Sequence, residues 1–255
     1  MNAPGAAPTS VSLCVADDET FWPWLSWPKF ESMADRESRV VVAPLAGMAD
    51  WGLGHPLDAE ETALLGVLKA AIGLVQAGQR PVVLPPLRFV FGADASCAFA
   101  VDQPAAHAAI ADVAASVAAS GFRKLVLLNA SPWNEELCSA AARDLRVSKG
   151  LHVFVVHLSA LELDFHPQRS RSRRRVQTLL TALYGVGPEA ATDVAPGAKN
   201  AWGVEPVDPL GGVPVPLAQA QSEGAEILAA ASSRLAKLLS EIHGRAPLTA
   251  KITPV

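Results

Sequence analysis

Four apolar residues, Val40-Val41-Val42-Ala43, run straight into a loop that carries Gly47, Gly52 and Gly54. A short continuous apolar run rich in β-branched residues has no solvent face. It reads as a strand buried on both sides of a parallel sheet. The loop closes at Pro56, and a helical pattern begins after Asp58. In an open α/β sheet, a long loop at the carboxyl end of an early strand is where a ligand site is expected.

The strand-then-helix alternation repeats downstream. Ala59 to Gly78 carries Leu64, Leu65, Val67, Leu68, Ala71, Ile72 and Val75 at helical spacing, with acidic residues at its start and Gly78 as a stop. Arg80 to Leu84 reads as a second strand, Asp102 to Ser120 as a helix, and Leu125 to Leu128 as a third buried strand. A helix over Asn134 to Leu145 and a strand over His152 to His157 follow. Leu217 to Ile242 closes the pattern with an apolar stripe of Ile227, Leu228, Leu235, Leu238 and Leu239. This predicts a single α/β domain over 20–245 behind a flexible small-residue tail, 1–19, with Glu189 to Pro216 as a long aperiodic loop or arm. Trp22, Trp24 and Trp27 fall within six residues and are either packing anchors or a subunit contact. Ser26 is the N-cap candidate of a short helix with Pro28 in its first turn.

Composition removes several function classes. Hydrophobic residues make up 50% of the 255, enough for one large core, and the net charge of −4 argues against general nucleic-acid binding. No apolar run approaches a membrane span, and the start MNAPGAAPTS has neither the basic beginning nor the apolar stretch of a signal peptide. The three cysteines, Cys14, Cys97 and Cys138, form no CxxC pair and read as free thiols in a reducing, cytoplasmic setting.

The loop after the first strand resembles the first metal-binding loop of the creatininase (creatinine amidohydrolase) family, in which a Glu, a His and a final Asp bind two divalent metals. Laid on this chain without a gap, the pattern matches Pro44, Gly52, Pro56 and Leu57. The Glu position is then Ala49, the His position Trp51 and the final Asp position Glu60. A later strand runs into Asn129-Ala130-Ser131-Pro132-Trp133-Asn134, similar to the family's N-G-H-G-G-N, with both Asn kept and Ser131 at the metal-binding His. Where the family opens a helix with H-A-G-E-x-E-T-S, this chain has five arginines between Arg169 and Arg175, placing Arg175 at the metal-binding Glu and Ser172 at the His. The pocket loop's Glu-His end falls on Ser96 and Cys97. The resemblance spans roughly Trp27 to His243. It implies a three-layer creatininase-like fold, a mainly parallel sheet flanked by helices.

The resemblance implies a hydrolase of cyclic amide or related C–N bonds, working with two metals, and an oligomer. The chemistry at the matched positions implies less. Ala49 has no donor atom, the Trp51 indole offers only an N–H, and a guanidinium at Arg175 repels a cation. The vestigial pocket is therefore Ala49, Trp51, Glu60, Ser131, Trp133 and Arg175. The leading expectation is a non-catalytic structural or regulatory subunit with no metal cofactor, pairing with itself or with an active paralogue. A second is a divergent Zn- or Mn-dependent amidohydrolase with a site rebuilt from Asp50, His55, Asp58 and Glu60. A third is a module binding an anionic small molecule over Arg175.

Overall fold

The apolar run becomes the centre of the sheet. A computed structural model describes residues 19–51, 55–91, 97–166, 173–187 and 215–246. Helix α1 (Trp27–Ser32) precedes strands β1 (Val40–Ala46) and β2 (Met48–Ala49), and helix α2 (Ala59–Leu74) follows. Short strands β3 (Val82–Val83), β4 (Leu87–Arg88), β5 (Val90–Phe91), β6 (Cys97–Ala98) and β7 (Ala100–Val101) lead to helix α3 (Gln103–Ala119). Then come β8 (Lys124–Asn129), α4 (Glu135–Ser148), β9 (His152–His157), α5 (Arg173–Tyr184) and α6 (Leu217–Gly244).

The main sheet is parallel, in the order β3-β1-β8-β9, with β4 also on β1. Every residue of β1 and of β8 is buried. Side chains alternate between faces, as the two-residue period of a strand requires. Val40, Val42, Val126 and Leu128 join one apolar cluster, covered by α2, α5 and α6. Val41, Ala43, Leu45, Leu125 and Leu127 join the other, covered by α1, α3 and α4. The three-layer α/β architecture follows from that double burial. At the α5–α6 crossing, a Cβ at Gly224 would run into Ala182 Cβ and come within 3.1 Å of the Thr178 carbonyl, so only glycine lets the helices approach.

Several boundaries differ from the sequence expectation. The helix expected to reach Gly78 ends at Leu74, where the Val75 N–H bonds back to the Ala71 and Ile72 carbonyls; Gly78 lies in a separate turn, Ala77–Gln79. The strand expected over Arg80 to Leu84 contracts to Val82–Val83, because Pro85 and Pro86 have no N–H to give the ladder, and pairing resumes at β4. Ser26 holds the N-cap position of α1 without a side-chain cap bond; its carbonyl accepts from Lys29 N at 2.9 Å.

The tryptophan cluster divides. Trp22 packs on Phe30 and Phe122 at ring distances of 4.7 and 5.4 Å, whereas Trp24 and Trp27 are 52% and 73% exposed. Strand β8 opens on Lys124, which is fully buried and donates from Nζ to the His243 carbonyl at the end of α6. Burial lowers its pKa. The expected tail and arm fall almost wholly outside the described residues, as do Cys14, Ser96, Arg169, Arg171 and Ser172. Cys138 is buried, which pushes its thiol up to about 12, and Cys97 is half-buried. Among the described residues no helix is long and apolar enough to cross a membrane.

Candidate functional site

The site is built at the carboxyl ends of β1 and β8. After β1 the chain reverses through Gly47 into β2, where Ala49 pairs with Cys97 of β6. Ala49 and Cys97, two positions that the resemblance matches to polar groups, are thus brought face to face in an antiparallel ladder. Gly47 has to be glycine here. A Cβ would run into Val90 Cγ1 and come within 3.2 Å of Glu60 Oε2.

Trp51 leaves β2 with its side chain turned inward, 3% exposed. Its ring stacks on Trp133 at 4.8 Å and 21°, and Phe165 meets it at 5.3 Å. Trp133 reaches this position because the Pro132–Asn134 segment is a tight 3₁₀ turn, the altered path that Pro and Trp impose where glycines would allow an open loop. Arg173 Nη2 ties down the Trp51 carbonyl at 2.9 Å.

Behind the rings, Glu60 of α2 is fully buried. Its Oε2 accepts from the Gly47 N–H at 2.6 Å. Trp51 Nε1 and Ser131 Oγ face the same carboxyl and favour its charged form, yet neither reaches it at hydrogen-bond geometry, and Glu60 Oε1 has no partner of its own. Loss of hydration outweighs these three donors and raises the Glu60 pKa to about 7. The fold carries Glu60 inward, as its place in the expected pocket requires, because the first turn of α2 lies beneath the β1 loop.

The two asparagines are structural clamps. Asn129 Oδ1 accepts from the Ser131 N–H at 3.2 Å, and Nδ2 donates to the Ser131 carbonyl at 2.7 Å and faces His157 Nδ1 at 3.1 Å. With the amide oriented by Ser131, Nδ2 must be the donor and His157 Nδ1 the acceptor, which fixes the neutral imidazole with its proton on Nε2. Asn134, fully buried, accepts from Phe91 N at 2.8 Å and donates to the Phe89 carbonyl at 3.0 Å.

The remaining expected residues are engaged elsewhere. Arg175 pairs with Glu162 at 3.3 Å, and Arg234 of α6 pairs with the same carboxylate at 2.8 Å. Asp58 accepts from the Tyr184 hydroxyl at 2.6 Å, and Thr62 Oγ1 lies 3.4 Å from its second oxygen. His55 stacks on Tyr184 at 5.2 Å and meets Thr181 Oγ1 at 3.2 Å; burial lowers its pKa to about 4. Tyr184 is itself shifted upward by burial and by Asp58. The structure therefore joins Ala49, Trp51, Glu60, Ser131 and Trp133 in one patch and sets Arg175, His55 and Asp58 in separate contacts. Among the described residues, no three His, Cys, Asp or Glu side chains are grouped to hold a metal ion. Sequence reading missed Phe165, Glu162, Tyr184 and Arg173 as neighbours of these groups. Only Arg173 gave a signal, as part of the arginine run.

Comparison with known proteins places this geometry. A family model described as Creatinine amidohydrolase matches residues 24–239. A solved creatinine amidohydrolase (creatininase) is 21% identical, covering 89% of this chain and 99% of its own, with a TM-score of 0.63. A structure described as creatininase Mn is 20% identical over the same shares, with a TM-score of 0.64. A putative creatinine amidohydrolase from Bacteroides fragilis NCTC 9343 is 16% identical, covering 91% of this chain and 99% of its own, at a TM-score of 0.62. No curated protein matches. With its sheet order, its buried first strand and the family match over most of its length, the chain belongs to the creatininase family.

Proposed function

We propose that this chain is a non-catalytic creatininase-family protein, a structural or regulatory subunit that assembles with itself or with an active paralogue. One observation carries the reading: the rings of Trp51 and Trp133 stack on each other at matched loop positions where the resemblance implies a metal-binding His and a glycine. The donor set does not fit a pair of divalent metals. Ala49 offers no atom, Ser131 offers a neutral hydroxyl, Trp51 offers only a donor, and Arg175 is a cation already paired with Glu162. Glu60 is the one carboxylate kept among these positions, and a single carboxylate does not supply the ligands that two divalent metals need.

The second reading, a divergent metal-dependent amidohydrolase, draws on the manganese-bearing relative and on Glu60. It would need Asp58 to leave Tyr184 and His55 to leave Thr181. An anion held over Arg175 would have to displace Glu162, which two arginines share. Turnover is the test. Purified protein supplied with Mn²⁺ or Zn²⁺ and challenged with creatinine and related cyclic amides is expected to release no product above buffer. Hydrolysis that a chelator abolishes would overturn the reading.

A further inference from the structure

A second feature lies at the carboxyl edge of the sheet, on the α3–α4 side. It is a half-open groove of 590 Å³ lined by Phe91, Gln103, Glu135, Glu136, Ala140, Arg143 and His157 among others. That volume lies within the range of small-molecule clefts, roughly 300–1,000 Å³. Its walls are rigid for a reason already described: buried Asn134 holds the backbone of Phe91, and Asn129 fixes the tautomer of His157. Both asparagines that match the family loop therefore brace this groove. Glu135 accepts from Ser159 Oγ at 2.7 Å. Among the described residues, no hydrogen bond or ion pair engages the side chains of Gln103, Glu136 or Arg143.

The charges in the groove are separated along one helix. Glu135 and Glu136 open α4, and Arg143 follows seven residues after Glu136. At 1.5 Å per residue the two ends lie about 10 Å apart along the axis. A helix N-terminus by itself favours an anion, but two carboxylates outweigh its roughly half charge and turn that end toward cations. A simple anion meets Glu135 and Glu136, and a dication meets Arg143. A ligand with opposite charges at its two ends satisfies both. An extended chain spans about 3.3–3.6 Å per residue, so three residues cover the distance. Ala140 lies between the two ends on α4 and Phe91 adds apolar lining, and the Gln103 amide can both donate to and accept from a peptide group.

We propose that this groove binds a zwitterionic chain of tripeptide length, with its ammonium on Glu135 and Glu136 and its carboxylate on Arg143. The site is separate from the Trp51–Trp133 patch and stands whether or not the protein is non-catalytic.

The test is an NMR titration of the ¹⁵N-labelled full chain with Ala-Leu-Ala at low salt. Saturable shifts around α4 are expected, with Kd on the order of 1 mM or tighter. Glu136→Gln and Arg143→Gln replace exposed side chains, and each is expected to weaken binding by at least about fivefold while the spectrum stays folded. N-acetylated Ala-Leu-Ala should lose its sensitivity to Glu136→Gln and keep that to Arg143→Gln; the C-terminal amide should show the reverse. No saturable shift up to about 10 mM, or binding that neither substitution weakens, would overturn the proposal.

Discussion

Two regions at the carboxyl edge of one sheet have opposite character. On the α2 side, the loop after β1 is closed by Trp51 against Trp133 and Phe165, over a buried Glu60. On the α4 side, an open groove keeps a cation and two carboxylates at its rim. Both are supported by the same connection, Asn129 to Asn134, whose backbone joins β8 to α4. The difference shows how one scaffold can carry two surfaces of opposite chemistry on the same strands. Where an inward position receives an aromatic ring, dispersion and stacking make the region core-like. Where outward positions keep charged groups beside a rigid wall, the surface stays available to a ligand.

Substitutions can break this contrast. Trp51→Ala removes the more buried of the two stacked indoles from the closed region and is expected to cost about 4 kcal/mol, in the range for Trp lost from a core. Urea denaturation measures it. The same protein should bind Ala-Leu-Ala as before, because the groove does not depend on the ring; loss of groove binding in a folded Trp51→Ala protein would show that the two regions are one.

Glu60 gives the closed region a pH signature. Its pKa is raised from an ordinary 4.5 to about 7 in the folded chain. The folded state therefore holds the proton more tightly than the unfolded state. The stabilisation is fully present below about pH 4.5, falls as pH rises through about 7, and is level above that, for a total on the order of 3 kcal/mol. Glu60→Gln should flatten this slope between pH 5 and 8, so the variant gains on the parent protein as pH rises. Chemical denaturation at several pH values checks it, and identical slopes in the two proteins would refute a protonated Glu60.

Asn134→Ala tests the shared support. It leaves Phe91 N and the Phe89 carbonyl without their partner and is expected to cost about 2 kcal/mol. Groove binding should weaken with it, while tryptophan fluorescence from the Trp51–Trp133 stack stays close to the parent's. The smallest effect belongs to Arg175→Gln. Arg175 is 38% exposed and shares Glu162 with Arg234, so thermal unfolding should shift by less than about 1 kcal/mol.

How much of this was legible in the sequence follows from the range of each interaction. The buried strands were legible because Val40 to Ala43 and Leu125 to Leu128 carry their burial on their own residues. The family scaffold was legible because Gly52, Pro56, Asn129 and Asn134 keep its spacing. Trp51 and Trp133 could be named as candidate plugs from their aligned positions, but not their stacking, which depends on the 3₁₀ turn at Pro132–Asn134. The partners of Asp58 and His55 were not legible: Tyr184 and Thr181 each lie 126 residues away in sequence, and neither residue type signals such a contact. The Gly78 stop failed because Val75 already turns the chain, so glycine's conformational freedom was not needed to end the helix.

The most direct test of the account is metal content. The protein would be expressed in medium supplemented with zinc and manganese, purified without a metal-binding tag, dialysed, and measured by plasma mass spectrometry. The account predicts far less than one metal per chain, because the positions matched to the family's ligands hold a methyl group, an indole, a hydroxyl, a guanidinium paired with Glu162 and a single carboxyl. One or two metals per chain retained through dialysis would contradict it and return the chain to the metal-dependent amidohydrolases.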